Sequence, residues 1–134
     1  MSPRIRKIAE EWLRRSHSNL ARCRQTKTEE IYFEDLCFDA QQAAEKAIKA
    51  VFVLHGKRFP LTHDLGELLE GLESFIIEIP EEVRLSVELN DYAVVTRYPN
   101  WGNEVTEVEF LRALKLAQSV VDFVDEHFRR MVHS

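Results

Sequence analysis

Arg97-Tyr98-Pro99-Asn100-Trp101 is the stretch of this chain best equipped for chemistry. A guanidinium meets two phosphate oxygens at once, and an aromatic ring offers a face on which a base can stack. A cation flanked by two aromatics, in a loop that Pro99 and Gly102 keep out of helix, suits nucleotide or RNA binding through Arg97, Tyr98 and Trp101. The competing assignment has Tyr98 and Trp101 cover the end of a helical bundle while Arg97 pairs with an acid. The histidines are scattered. His17, His127 and His133 fall at helical or terminal positions with no partner in sight, so packing or solvated roles are expected. His55 is placed to cap a helix C-terminus, where an imidazolium is favourable. Asp39 and Glu45 are expected in solvent or at a subunit interface. Cys23 and Cys37 lie in helical patterns without metal-ligand spacing, so no metal site, cofactor or disulfide framework follows.

The element that must position these groups is Ile31–His55. Phe33, Leu36, Ala40, Ala43, Ala44, Ala47, Val51 and Leu54 recur at helical spacing, with Glu34, Asp35, Asp39, Gln41, Gln42, Glu45, Lys46 and Lys49 on the opposite arc. Its alanines let a neighbouring helix approach closely, which makes it the central helix of a bundle. A first helix over about 4–24 carries Ile5, Ile8, Ala9, Trp12, Leu13, Leu20 and Cys23. Thr26 with Glu29 forms a potential capping box for the long helix, and Gly56 a potential C-cap. Asp64 caps a third helix buried through Leu65, Leu68, Leu69, Leu72 and Phe75. Pro80 starts a fourth with Val83, Leu85, Val87, Leu89, Tyr92 and Val95. A second box, Thr106 with Glu109, opens the last helix, which runs to about Met131 with Val108, Leu111, Leu114, Ala117, Val121, Val124 and Phe128 as its apolar line.

The chain of 134 residues reads as one all-α domain, 1–134, an up-and-down bundle of four to five helices. Four Gly and four Pro are too few for a protein of many short strands. No run approaches eighteen apolar residues and the N-terminus lacks an apolar leader, so a cytoplasmic protein without membrane contact is expected. The net charge of −5 conceals an asymmetry. Residues 1–27 hold eight Lys/Arg against Glu10 and Glu11, while the remainder holds ten basic against 21 acidic residues. The basic helix either binds an anion such as RNA or an acidic partner, or folds back on its own acidic body; the internal pairing is preferred.

FDAQQAAEKAIKAVFVLHGK, a Pro turn, THDLGELLEGL, then YAVVTRYPNW and a long closing helix together resemble the HEPN family over residues 10–128. The resemblance implies a helical bundle that forms a homodimer and is encoded beside a minimal nucleotidyltransferase, the two acting as a toxin–antitoxin pair. It also implies, for many members, metal-independent endoribonuclease activity at a dimer cleft. The family signature for that activity is Arg, four to six residues, then His near the start of the last long helix. The chemistry needs an imidazole titrating near neutrality to move the 2′-hydroxyl proton and a guanidinium to hold phosphate charge. Arg97 takes the arginine position, but positions 102, 103 and 104 hold Gly102, Asn103 and Glu104, so the signature is incomplete. The expected protein is therefore an interaction and nucleotide-binding module that does not cleave. The alternative is an endoribonuclease toxin using Arg97, or the literal match Arg58, Phe59-Pro60-Leu61-Thr62, His63 in the turn before the third helix. For that match the plain assignment is a helix-starting His63 and a solvated Arg58.

Overall fold

Phe33–Leu54, α2, is the axis of the structure, a computed structural model that describes residues 1–76, 78–93 and 104–133. Around it lie α1 (Pro3–Cys23), α3 (Leu65–Glu73), α4 (Glu81–Arg84, continued as a tighter 3₁₀ stretch over Leu85–Tyr92) and α5 (Glu107–His133). There is no strand among the described residues, and the all-α, up-and-down bundle expected from the sequence is what forms. No helix among them is long and apolar enough to cross a membrane.

The alanines of α2 have the expected effect. Ala40, Ala43, Ala44, Ala47 and Ala50 are fully buried, and α1 packs along α2. Its approach is close enough for Ser16 Oγ to donate to the Ala43 carbonyl at 2.6 Å and Cys23 Sγ to the Leu36 carbonyl at 3.2 Å. What the sequence misjudged is the other arc of α2. Asp39, Gln41, Glu45 and Lys49 are buried too, because α1 and the turn before α3 cover them. Asp39 and Glu45 are thus inside the protomer, neither solvated nor free for a subunit interface.

Helix ends follow local chemistry, with two corrections. Ser2 caps α1 through the Ile5 N–H at 3.2 Å, and Pro3 occupies a first-turn position. Gly56, at φ 66°, closes α2. Its N–H reaches the Val53 carbonyl at 2.9 Å and the Lys57 N–H reaches Phe52 at 2.8 Å, a left-handed cap that a side chain would strain. The Thr26–Glu29 box does not form, since α2 begins only after Tyr32, which makes no side-chain cap; Glu34 and Asp35 complement the positive helix end instead. The Thr106 box is half made. Thr106 Oγ1 accepts from the Glu109 N–H at 3.1 Å, while the Glu109 carboxylate accepts from the Tyr92 hydroxyl at 3.0 Å.

The fourth helix is the larger departure. Only Glu81–Arg84 is α-helical, and Leu85–Tyr92 winds three residues per turn. Val83, Ser86 and Leu89 are the buried residues, a strict spacing of three that suits this tighter winding, whereas Leu85 and Val87 are exposed. Val95 lies outside the described residues. Along α5, Val108 and Leu111 also face outward; Phe110, Ala113, Leu116, Ala117, Val120, Val121, Val124 and Phe128 make the buried line.

Candidate functional site

Glu45 sits at the middle of α2 with its side chain 4% exposed, and three donors converge on it. Gln41 Nε2 reaches Oε1 at 3.0 Å, Lys49 Nζ reaches Oε2 at 2.9 Å, and His63 Nδ1 lies 3.1 and 3.2 Å from the two oxygens. Burial alone would push this carboxyl up. The hydrogen bonds from Gln41, Lys49 and His63, with the Lys49 charge, more than offset it and hold Glu45 below the usual carboxylate range. Lys49 is itself 9% exposed, its ammonium 5.0 Å from the Phe59 ring and 5.9 Å from Trp12. Gln41 also donates to the His63 carbonyl at 3.3 Å, fixing the backbone that carries the imidazole. His63 is the open end of the cluster, with a side chain 73% exposed. The next residue, Asp64, caps α3 by accepting from the Gly66 N–H at 2.7 Å, and Asn90 braces that turn through the Leu65 N–H and Asp64 Oδ1. An imidazole oriented by a buried carboxylate and anchored on both sides is equipped to exchange a proton or to bind a polar ligand at its free nitrogen.

Arg58 belongs to the same turn. It is exposed and has no acidic partner among the described residues. Phe59, beside it, packs edge-on against Trp12 of α1 with ring centroids 5.3 Å apart. Trp12 borders the basic face of α1, where Arg4, Lys7, Arg14, Arg15 and Arg22 fall within one arc of the helix. Glu11 pairs with Arg14 and Arg15, and Arg22 Nε lies 3.3 Å from Asp39 Oδ2. Arg4 and Lys7 have no acidic partner among the described residues. The preferred internal neutralisation of α1 is therefore slight. Among the described residues, Arg22–Asp39 and His17–Asp125, at 2.8 Å, are the pairs that tie α1's own cationic or imidazole groups to acids of other helices.

Arg97, Tyr98 and Trp101 lie outside the described residues, as do Gly102 and Asn103; Glu104 is described and exposed. The structure brings His63 to Glu45 and leaves Arg58 exposed five residues earlier in the same turn. Three other expectations change. His17 has a partner in Asp125. His55 stands at the end of α2, but its ring faces His127, with Nε2 atoms 2.7 Å apart. Burial and the Lys57 charge lower His55, and burial with the charges of His55 and Arg130 lowers His127, so neither ring is the imidazolium expected for a cap. Asp39 accepts from Asn19 Nδ2 at 3.0 Å, and burial raises its carboxyl despite Asn19 and Arg22. No group of three metal-ligating side chains occurs among the described residues. Sequence reasoning missed Gln41 and Lys49 as site residues and misplaced Glu45. Their four-residue spacing along α2 was the available signal.

The chain matches the HEPN domain family over residues 9–127. Among solved structures it is similar to the Thermus thermophilus protein TT1696, at 31% identity and a TM-score of 0.74, covering 88% of this chain and 96% of that one. An HEPN domain protein of Thermotoga maritima is 26% identical with a TM-score of 0.59, covering 95% of this chain and 98% of its own. An archaeal HEPN homologue, ST0689, shares the fold at 23% identity and a TM-score of 0.69, over 90% of this chain and 97% of that one. No curated protein matches. The chain belongs to the HEPN domain family.

Proposed function

From that membership we propose that the chain is a non-cleaving HEPN interaction module. It forms a homodimer, partners a minimal nucleotidyltransferase in a toxin–antitoxin-type pair, and binds nucleotide or RNA along α1. The observation that carries the binding reading is the basic face of α1, whose Arg4 and Lys7 are left without acidic partners on a chain of net charge −5. Arg14, Arg15 and Arg22 of that face pair with Glu11 and Asp39, and Arg4 and Lys7 stay open toward the N-terminal end. A strip of cations bordered by Trp12 and Phe59 fits a phosphate backbone with bases beside it. The experiment is a fluorescence-anisotropy titration of a short single-stranded RNA with the wild type and with Arg4→Gln/Lys7→Gln. Weaker binding by the variant, by roughly tenfold for two lost phosphate contacts, supports the reading. Equal binding by both proteins removes α1 from it.

A second reading, a metal-independent endoribonuclease, is favoured by one feature, the His63–Glu45 contact in the turn that also carries the exposed Arg58. Its test is incubation with RNA in EDTA, with Arg58→Ala and His63→Ala alongside. Cleavage lost in these variants would place the activity there, and intact RNA throughout leaves the binding module.

A further inference from the structure

His55 closes α2, and His127 lies toward the end of α5, 72 positions further along the chain. Their Nε2 atoms are 2.7 Å apart and their ring centroids 5.0 Å apart. That is about the shortest nitrogen separation such centroids allow, so each Nε2 points straight at the other. One Nε2 carries a hydrogen and the other accepts it. Phe75 flanks the His55 ring, with centroids 5.1 Å apart, and Phe123 flanks His127 at 6.5 Å. Neither Nδ1 has a partner among the described residues or is shut away from solvent, so either can hold its ring's hydrogen.

Two facing imidazole nitrogens are a ligand pair that Zn²⁺ and its first-row neighbours take. Moving one hydrogen from Nε2 to Nδ1 of the same ring, through water, frees both lone pairs with no net loss of a proton. A tetrahedral ion about 2.0–2.1 Å from each nitrogen holds the two about 3.3 Å apart, so the rings part by about 0.6 Å. The soft χ2 torsion of histidine permits that tilt. Lys57 and Arg130 are the neighbouring charges that oppose a cation. Both are exposed, and Arg130 Nε is paired with Glu126 Oε1 at 3.2 Å, so solvent and the carboxylate blunt them.

We propose that His55 and His127 form a two-histidine site for a divalent transition-metal cation, which clasps the C-terminal end of α2 to α5. Two protein ligands leave the remaining coordination positions to water, unlike a closed structural zinc site. The inference stands apart from the binding of RNA by α1.

The test is equilibrium dialysis of the full, folded chain, first stripped with EDTA and then freed of it, against ZnCl₂ at pH 8, where an ordinary imidazole is neutral. The expected result is one Zn²⁺ bound per chain and kept in excess Mg²⁺, which prefers oxygen ligands. His55→Phe and His127→Phe each add a ring to a wall already lined by Phe75 and Phe123, and circular dichroism shows whether they fold. Each should weaken zinc binding by more than the roughly tenfold that losing an outer-shell partner costs. A wild type that binds no zinc would overturn the inference, as would zinc displaced by Mg²⁺. Binding undiminished in both folded variants would place the ion at another histidine and overturn it equally.

Discussion

Replacing Lys49 by Met removes the fixed cation that faces Glu45 inside the bundle while keeping most of the stem's volume. Glu45 is 4% exposed and its Oε2 has Lys49 Nζ at 2.9 Å, so the variant leaves a carboxylate out of water with donors from Gln41 and His63 alone. Removing one partner of a buried ion pair costs about 3–5 kcal/mol, and the two surviving donors place this site near the lower figure, about 3 kcal/mol. Glu45→Gln strands the ammonium instead, though Phe59 and Trp12 still face it, so a cost of about 2–3 kcal/mol is expected. The double variant removes both charges and should recover about 2 kcal/mol relative to the sum of the singles. Urea unfolding followed by circular dichroism measures all three. Single variants costing under about 1 kcal/mol, or a double equal to the sum, would show that Glu45 is hydrated and that the cluster does not hold its charge through burial.

His55 and His127 give a pH dependence whose sign follows from their lowered values. The unfolded chain takes up protons near the ordinary value of 6.5 while the folded pair still resists them, so stability is full above that pH and falls as pH drops through the folded values. The urea midpoint should decline from pH 7 to pH 5.5 in the wild type and decline less in His55→Phe/His127→Phe; equal slopes would remove the pair as the cause. Cys23, its thiol pushed up to about 12 by burial and by the Asp39 charge, should stay unreacted with iodoacetamide at pH 8 in the folded protein and react after unfolding. Ala43→Leu inserts bulk at the fully buried α1–α2 contact, where Ser16 Oγ meets the Ala43 carbonyl, and should cost about 1–3 kcal/mol, read by the same urea titration; a neutral substitution would mean the two helices can part at no cost.

Much of the fold was legible because one-dimensional period and burial agree along α1, α2 and α3. The alanines at 40, 43, 44 and 47 announced a close helix contact, Gly56 the end of α2, and Asp64 the start of α3. Legibility failed where a helix is covered on more than one side. Polar residues of α2 were read as solvent-facing, since a single sequence shows their polarity but not Asn19, Trp12 or the His63 turn that arrives to cover and pair them. The stretch after Pro80 failed for another reason. Apolar residues at 83, 85, 87 and 89 look like a loose α pattern, and only burial at 83, 86 and 89 reveals the three-residue turn. Of the candidate site, the Arg58–His63 spacing was visible, while the Glu45 partnership that gives His63 its orientation joins residues 18 positions apart.

The most direct test of a non-cleaving, anion-binding HEPN module is one titration of single-stranded RNA at rising KCl, in EDTA, with the RNA length checked at every point. The account predicts intact RNA and an affinity that falls with salt at a log–log slope of about −2 to −3, as expected for three or four phosphates neutralised by α1 and Arg58. RNA left unbound at low salt, or RNA shortened by the wild type and spared by His63→Ala, would contradict it.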